Sequence, residues 1–154
     1  MAKDSKNKIQ KTVSIRNKQA FYQYSIEDTF LAGLVLKGTE IKSIRQGLVN
    51  FTDGYCFFSG GALFVKGLHI SPYKQASFAN HDPDRDKKLL LQKRELGKLG
   101  KSIEEKGYTL VPLKLFINDR GFAKLEIGVG KGKKIHDKRE SIKEKDIKRE
   151  LKNF

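Results

Sequence analysis

Phe30-Leu31-Ala32-Gly33-Leu34-Val35-Leu36-Lys37-Gly38-Thr39-Glu40-Ile41-Lys42-Ser43-Ile44-Arg45-Gln46-Gly47 changes period partway along. The first seven residues are a short, continuous apolar run, which predicts a strand buried on both faces. Gly33 inside it suits a sharp bend at the corner of a small barrel. From Lys37 onward the spacing is helical: Ile41 and Ile44 stand at i, i+3, Thr39 is placed to cap the N-terminus, and Gly47 supplies a stop. The two isoleucines need burial, so this short basic helix is expected to plug an open barrel end and leave Lys42 and Arg45 outside.

Working outward toward the N-terminus, Phe21-Tyr22-Gln23-Tyr24-Ser25-Ile26 reads as a separate strand, divided from the apolar run by Glu27-Asp28-Thr29. Residues 1–19 carry six Lys/Arg against one acid, and residues 1–12 are read as a disordered basic arm. Toward the C-terminus come three apolar segments, Val49-Asn50-Phe51, Tyr55-Cys56-Phe57-Phe58 and Ala62 to Ile70, the last two joined by a Ser59-Gly60-Gly61 hairpin turn. Residues 71–88 turn polar and irregular, as a surface loop does, and Leu89-Leu90-Leu91 closes them. Leu96, Leu99 and Ile103 then recur at i, i+3, i+7, predicting an amphipathic helix that ends at Gly107, with Gly97 and Gly100 weakening or kinking it.

A hairpin completes the body. In Thr109 to Asn118 the odd positions Val111, Leu113, Leu115 and Ile117 are expected to face one way; in Phe122 to Val129, Ala123, Leu125, Ile127 and Val129 do the same, with Lys124 and Glu126 opposite. Asn118-Asp119-Arg120-Gly121 is the turn, and Pro112, which has no N–H to donate, marks an edge or a bulge. Short strands with glycine bends, helices at barrel ends and no βαβ alternation predict a mainly β fold. The expected form is a small OB-like β-barrel with two or three short helices and a disordered basic C-terminal tail. The expected boundaries are an arm over 1–12, a barrel over 13–130 and a tail over 131–154.

Charge narrows the function class. The 154 residues carry a net +14 while keeping 38% hydrophobic residues, so the chain is a folded protein that seeks polyanions, nucleic acid first. No apolar run approaches a membrane span and the N-terminus lacks a signal-peptide pattern, so a cytoplasmic location is expected. The chain has one cysteine, Cys56, placed within a strand and read as inert core. His69, His81 and His136 are the near-neutral acid/base candidates. His69 has no second ligand at metal spacing and is read as structural. A nuclease would use His81 with Asp82, Asp84 and Asp86; a solvated polar loop explains them better. No metal site, cofactor site or catalytic motif is found.

From Lys131 to Phe154 the sequence holds ten Lys/Arg against five Asp/Glu. Its apolar residues are Ile135, Ile142, Ile147, Leu151 and Phe154, and on a helix the first two point away from the last three. Without an apolar stripe, this segment is expected to order only against an anionic partner.

Six stretches carry a resemblance beyond composition: Asn17-Lys18-Gln19-Ala20, Leu36 to Arg45, His69-Ile70-Ser71-Pro72-Tyr73, Lys88-Leu89-Leu90-Leu91, Leu110-Val111-Pro112-Leu113, and Lys131-Gly132-Lys133-Lys134 followed by Asp137-Lys138-Arg139. In this order they resemble the small protein B family, the bacterial transfer-messenger RNA (tmRNA) binding proteins, over nearly the whole chain. The resemblance implies an OB-like barrel that binds the transfer-RNA-like part of alanyl-tmRNA. It implies delivery to a stalled ribosome, elongation factor Tu as companion, no membrane, a monomer when bound, and no catalysis. It implies that Asn17, Lys18, Glu40, Lys42, Arg45, Leu91 and Lys93 lie at or near the RNA-facing surface, and Lys88 and Lys124 join them as candidate RNA contacts. The tail residues Lys131, Gly132, Lys133, Lys134, His136, Asp137, Lys138 and Arg139 would enter the decoding centre and empty message channel, helical only on the ribosome. For Glu40 a helix N-terminal carboxylate, and for Leu91 a core leucine, remain open as structural roles. A general structured-RNA-binding or ribosome-assembly module is the alternative function.

Overall fold

The structure, a computed structural model, describes residues 13–76 and 80–133. The element order is β1 (Ser14–Arg16), α1 (Lys18–Gln23), β2 (Tyr24–Leu34), α2 (Gly38–Arg45), β3 (Val49–Ser59), β4 (Ala62–Ile70), β5 (Lys87–Leu90), α3 (Lys93–Lys106), β6 (Thr109–Ile117) and β7 (Ala123–Gly132). The strands pair in the order β1-β6-β3-β4-β5-β2-β7, and a further β6–β7 pairing closes six of them into a barrel with β1 added outside. Every pairing is antiparallel. The mainly β, OB-like barrel expected from the sequence is the fold observed.

The core fills from the alternating strands. Leu63, Val65, Leu68 and Ile70 of β4 and Leu125, Ile127 and Val129 of β7 are buried in one cluster. Gly60 and Gly61, both at positive φ, turn β3 into β4 as the Gly-Gly pair predicts. α2 plugs one end with Ile44 fully buried and Ile41 packed against the cluster, while Lys42 and Arg45 stay exposed. α3 buries Leu99, with Leu96 and Ile103 against the core, and runs unbroken through Gly97 and Gly100 to a left-handed Gly107.

Five expectations are corrected. Phe21-Tyr22-Gln23 is helical, because Asn17 caps α1 and Ala20 and Phe21 pack on Val111 and Leu113. β2 continues through Glu27-Asp28-Thr29, absorbing the polar triplet in a bulge between Ile26 and Asp28. The run Phe30–Leu36 is not buried on both faces: Ala32 is fully buried while Leu31 and Val35 are exposed, and the strand ends at Leu34. Nor does β6 keep one phase. Its pairing with β7 slips between Pro112 and Lys114, so Leu115 and Ile117 enter the barrel core while Val111 and Leu113 form a second cluster under α1. Pro112 thus marks a bulge, one of its two predicted roles. Thr39 does not cap α2 either: the cap is Lys37, whose backbone N–H donates to the Glu40 carboxylate at 2.7 Å.

Candidate nucleic-acid interface

On β2 the odd positions turn outward, and on β5 the even ones do. Leu31 is 52% and Leu90 54% exposed, while Ala32 and Leu89 are buried. Gly33 pairs with Leu90 on one side and Lys124 on the other. A Cβ placed at Gly33 would lie 3.4 Å from the Leu90 Cβ and 3.7 Å from the Lys124 Nζ. The absent side chain therefore lets an aliphatic group and an ammonium converge over bare backbone. Lys88, exposed on the same face of β5, extends the patch. Ammonium groups flanking exposed leucines can meet phosphates while the leucines pack on a base or a sugar. Leu31 and Leu90 were not among the sequence candidates; the signal was the i, i+2 alternation that a continuous apolar run conceals.

Beside this patch lies a buried charge cluster that spacing alone does not reveal. Glu40 is fully buried, and its carboxylate accepts from Arg85 Nη2 at 2.6 Å and Nε at 3.2 Å. Burial by itself would raise the Glu40 pKa, but hydrogen bonds from Arg85 and the Lys37 N–H, with the charges of Arg85 and Lys87, hold it below the ordinary carboxylate value. Arg85 Nη2 also donates to the Val35 carbonyl, so the guanidinium straps the 71–86 loop across the N-terminus of α2. Lys87 is fully buried, donating to the carbonyls of Leu68 and Pro83. Burial pulls its pKa down, against the pull of Glu40. Glu40 is thus enclosed at the N-terminus of α2, and no part of it reaches the surface.

The loop is less solvated than its composition predicts. His81 is 5% exposed, with Nε2 donating to the Ile70 carbonyl at 2.9 Å and Nδ1 left to accept from the Thr39 hydroxyl at 2.8 Å. Both ring nitrogens thus find partners within the fold, one on α2 and one at the end of β4. His69 has a carboxylate partner after all, Asp84 at 2.8 Å, reached across the loop rather than along the sequence. Cys56 is buried, and its thiol pKa is pushed far up by burial alone. Among the described residues no cluster of three metal-ligating side chains is found.

The remaining candidates are dispersed. Asn17 is buried: its amide donates to the Pro112 carbonyl at 2.8 Å and its side-chain oxygen accepts from the Ala20 N–H at 3.4 Å. Lys18 is exposed at the start of α1 and Lys93 at the start of α3. The Lys42 ammonium sits 5.4 Å from the Tyr73 ring. Leu91 is partly buried against the core. Lys131 and Gly132 belong to β7, opposite Ser25 and Tyr24, and the Lys133 N–H donates to the Gln23 carbonyl at 2.8 Å. Lys134, His136, Asp137, Lys138 and Arg139 lie outside the described residues, as does the 1–12 arm.

Comparison with known proteins gives this arrangement a family. A family model described as SmpB protein matches residues 14–154. The chain belongs to the SmpB family. Among its SmpB relatives, the SsrA-binding protein of Bacteroides thetaiotaomicron is 51% identical over 92% of this chain and 95% of its own length. That of Anoxybacillus flavithermus is 56% identical over 88% of both chains. A solved chain described as "tmRNA-SmpB: a journey to the center of the bacterial ribosome" superposes with a TM-score of 0.69 at 45% identity, covering 85% of this chain and 95% of that one. Against that SmpB frame, the sequence resemblance and the fold agree from β1 to β7.

Proposed function

We propose that this protein binds tmRNA through the face on which Lys124, Leu90 and Lys88 surround Gly33, and brings alanyl-tmRNA to stalled ribosomes in trans-translation. The observation that carries this is the convergence of the Lys124 ammonium and Leu90 over Gly33, in a chain whose family relatives are SsrA-binding proteins. The chemistry remains with the RNA and the ribosome; the chain itself contributes binding and placement. It works as a monomer when bound, in the cytoplasm, with elongation factor Tu accompanying the charged RNA. Residues 134–154, with His136, Asp137, Lys138 and Arg139, occupy the decoding centre and the empty message channel, becoming helical there.

The test is competition followed by truncation. Labelled tmRNA bound to the full chain should resist a large excess of bulk transfer RNA; equal competition would mark a general structured-RNA binder. Deletion should begin after Lys133, since Lys131 and Lys133 are paired with Ser25 and Gln23. The truncated chain should keep its tmRNA affinity and lose tagging of stalled products. A matching loss of affinity would move the main binding site into the tail.

A further inference from the structure

The barrel's shortest ladder is where β3 meets β6. Those strands share one paired position, Cys56 opposite Leu110, and where they part a groove of about 530 Å³ opens, lined by Phe57, Phe58, Ile103, Glu104, Tyr108 and Leu110. Two ammonium groups stand over the Tyr108 ring, Lys131 at 5.1 Å and Lys106 at 5.8 Å from its centroid. Gly100 of α3 also lines the groove, and a Cβ there would meet nothing within 4 Å, so the space above it is open.

Position matters as much as lining. In the closed ring β6-β3-β4-β5-β2-β7, the β3–β6 junction is diametrically opposite the β5–β2 junction that carries Gly33 and Leu90. A ligand in the groove would not compete with one on the Lys124 face.

We propose that this groove is a second RNA-binding surface, which takes one unpaired nucleobase bearing an exocyclic amino group while Lys106 and Lys131 hold the flanking phosphates. A base stacks on aromatic rings whatever its identity. Glu104, the one acid among the lining residues, adds an acceptor for an amino group, which favours adenine, cytosine or guanine over uracil. An apolar peptide would fill the groove equally well but would gain nothing from two lysines poised over a tyrosine. The inference rests on the chain being an RNA binder and supplies what a protein that joins one RNA to another requires: two faces that can be occupied together.

The experiment titrates the full chain into a single-stranded pentaadenylate carrying 2-aminopurine at its centre. Stacking should quench the probe, and a pentauridylate should compete poorly. Gly100→Leu, which fills the groove while improving helix propensity, and Tyr108→Leu, which keeps apolar bulk without the ring, should each weaken binding about tenfold. Glu104→Gln should narrow the preference over uridine, and Leu90→Ala on the opposite face should weaken tmRNA binding while leaving the quenching of this probe as in the parent chain. The proposal is overturned if Gly100→Leu binds the probe like the parent chain, or if Leu90→Ala loses as much. Measuring tmRNA binding by the same variants separates the two readings: Gly100→Leu should retain it, and its absence from every variant and from the parent would sink the proposed function while the pentanucleotide result still decides the groove.

Discussion

Glu40 shows how a carboxylate in a stretch that carries the family resemblance is held by the fold, with no surface left to present. Its carboxylate is fully buried against Arg85, so removing the guanidinium leaves an uncompensated charge in the core. Arg85→Met should therefore destabilise the fold by about 3 kcal/mol or more, read as a fall in the denaturation midpoint. The folded pKa of Glu40 is lowered from 4.5, so its ionised form contributes stability that is present above the unfolded value and is lost as pH falls through the folded one. The stability gap between the parent chain and Glu40→Gln should accordingly be widest above pH 4.5 and shrink on acidification below it. A gap independent of pH would mean that shape, not charge, makes the carboxylate matter. Lys124 should behave in the opposite way. Lys124→Ala should leave the midpoint unchanged, weaken tmRNA binding, and reduce the slope of log K against log salt by about 0.7 to 0.9 for the one phosphate released. A full slope in that variant would take Lys124 out of the interface.

At the scale of elements, legibility in the sequence tracks whether a segment's environment is local. α3 was readable because Leu96, Leu99 and Ile103 repeat on one face and Gly107 supplies the stop. α1 was not, since Phe21 and Tyr22 favour strands by propensity. They are overruled by Val111 and Leu113, which the slip after Pro112 turns out of the barrel some ninety residues downstream. Lys87 was hidden in the same way: the pattern Lys87-Lys88-Leu89-Leu90 does place it on the face of Leu89, but only carbonyls at Leu68 and Pro83 make that burial tolerable. Asn17 joins α1 to the bulge, accepting from Ala20 and donating to Pro112. Asn17→Ala removes the cap and orphans the Pro112 carbonyl, so it should lower stability by about 1 to 2 kcal/mol. For a chain of this size that is roughly 2 to 8 °C in Tm. Because the side chain is buried, tmRNA binding measured well below the new midpoint should fall only as far as the tilt of α1 moves Lys18. A large loss of affinity with an unchanged Tm would instead make Asn17 a direct RNA contact.

Over the whole molecule, the +14 charge guarantees attraction to any RNA and explains no specificity. Discrimination must come from where side chains stand, and the tail is the sharpest place to separate the two contributions. From Lys131 to Phe154 the apolar residues form no single stripe and like charges repel along the segment. A purely electrostatic tether would lose function in proportion to the charge removed. Asp137-Lys138-Arg139→Ala lowers the net charge by one unit, whereas replacing Lys148 and Lys152 by Ala lowers it by two. If spacing along a channel-bound helix carries the function, the triple variant should impair rescue by far the more, despite the smaller change in charge. Peptidyl transfer to alanyl-tmRNA on stalled ribosomes, measured with saturating tmRNA so that binding by the barrel is not limiting, decides between them. Loss that follows the charge removed, greater in the double lysine variant than in the triple one, would reduce the tail to an unspecific anchor and leave the barrel faces as the seat of recognition.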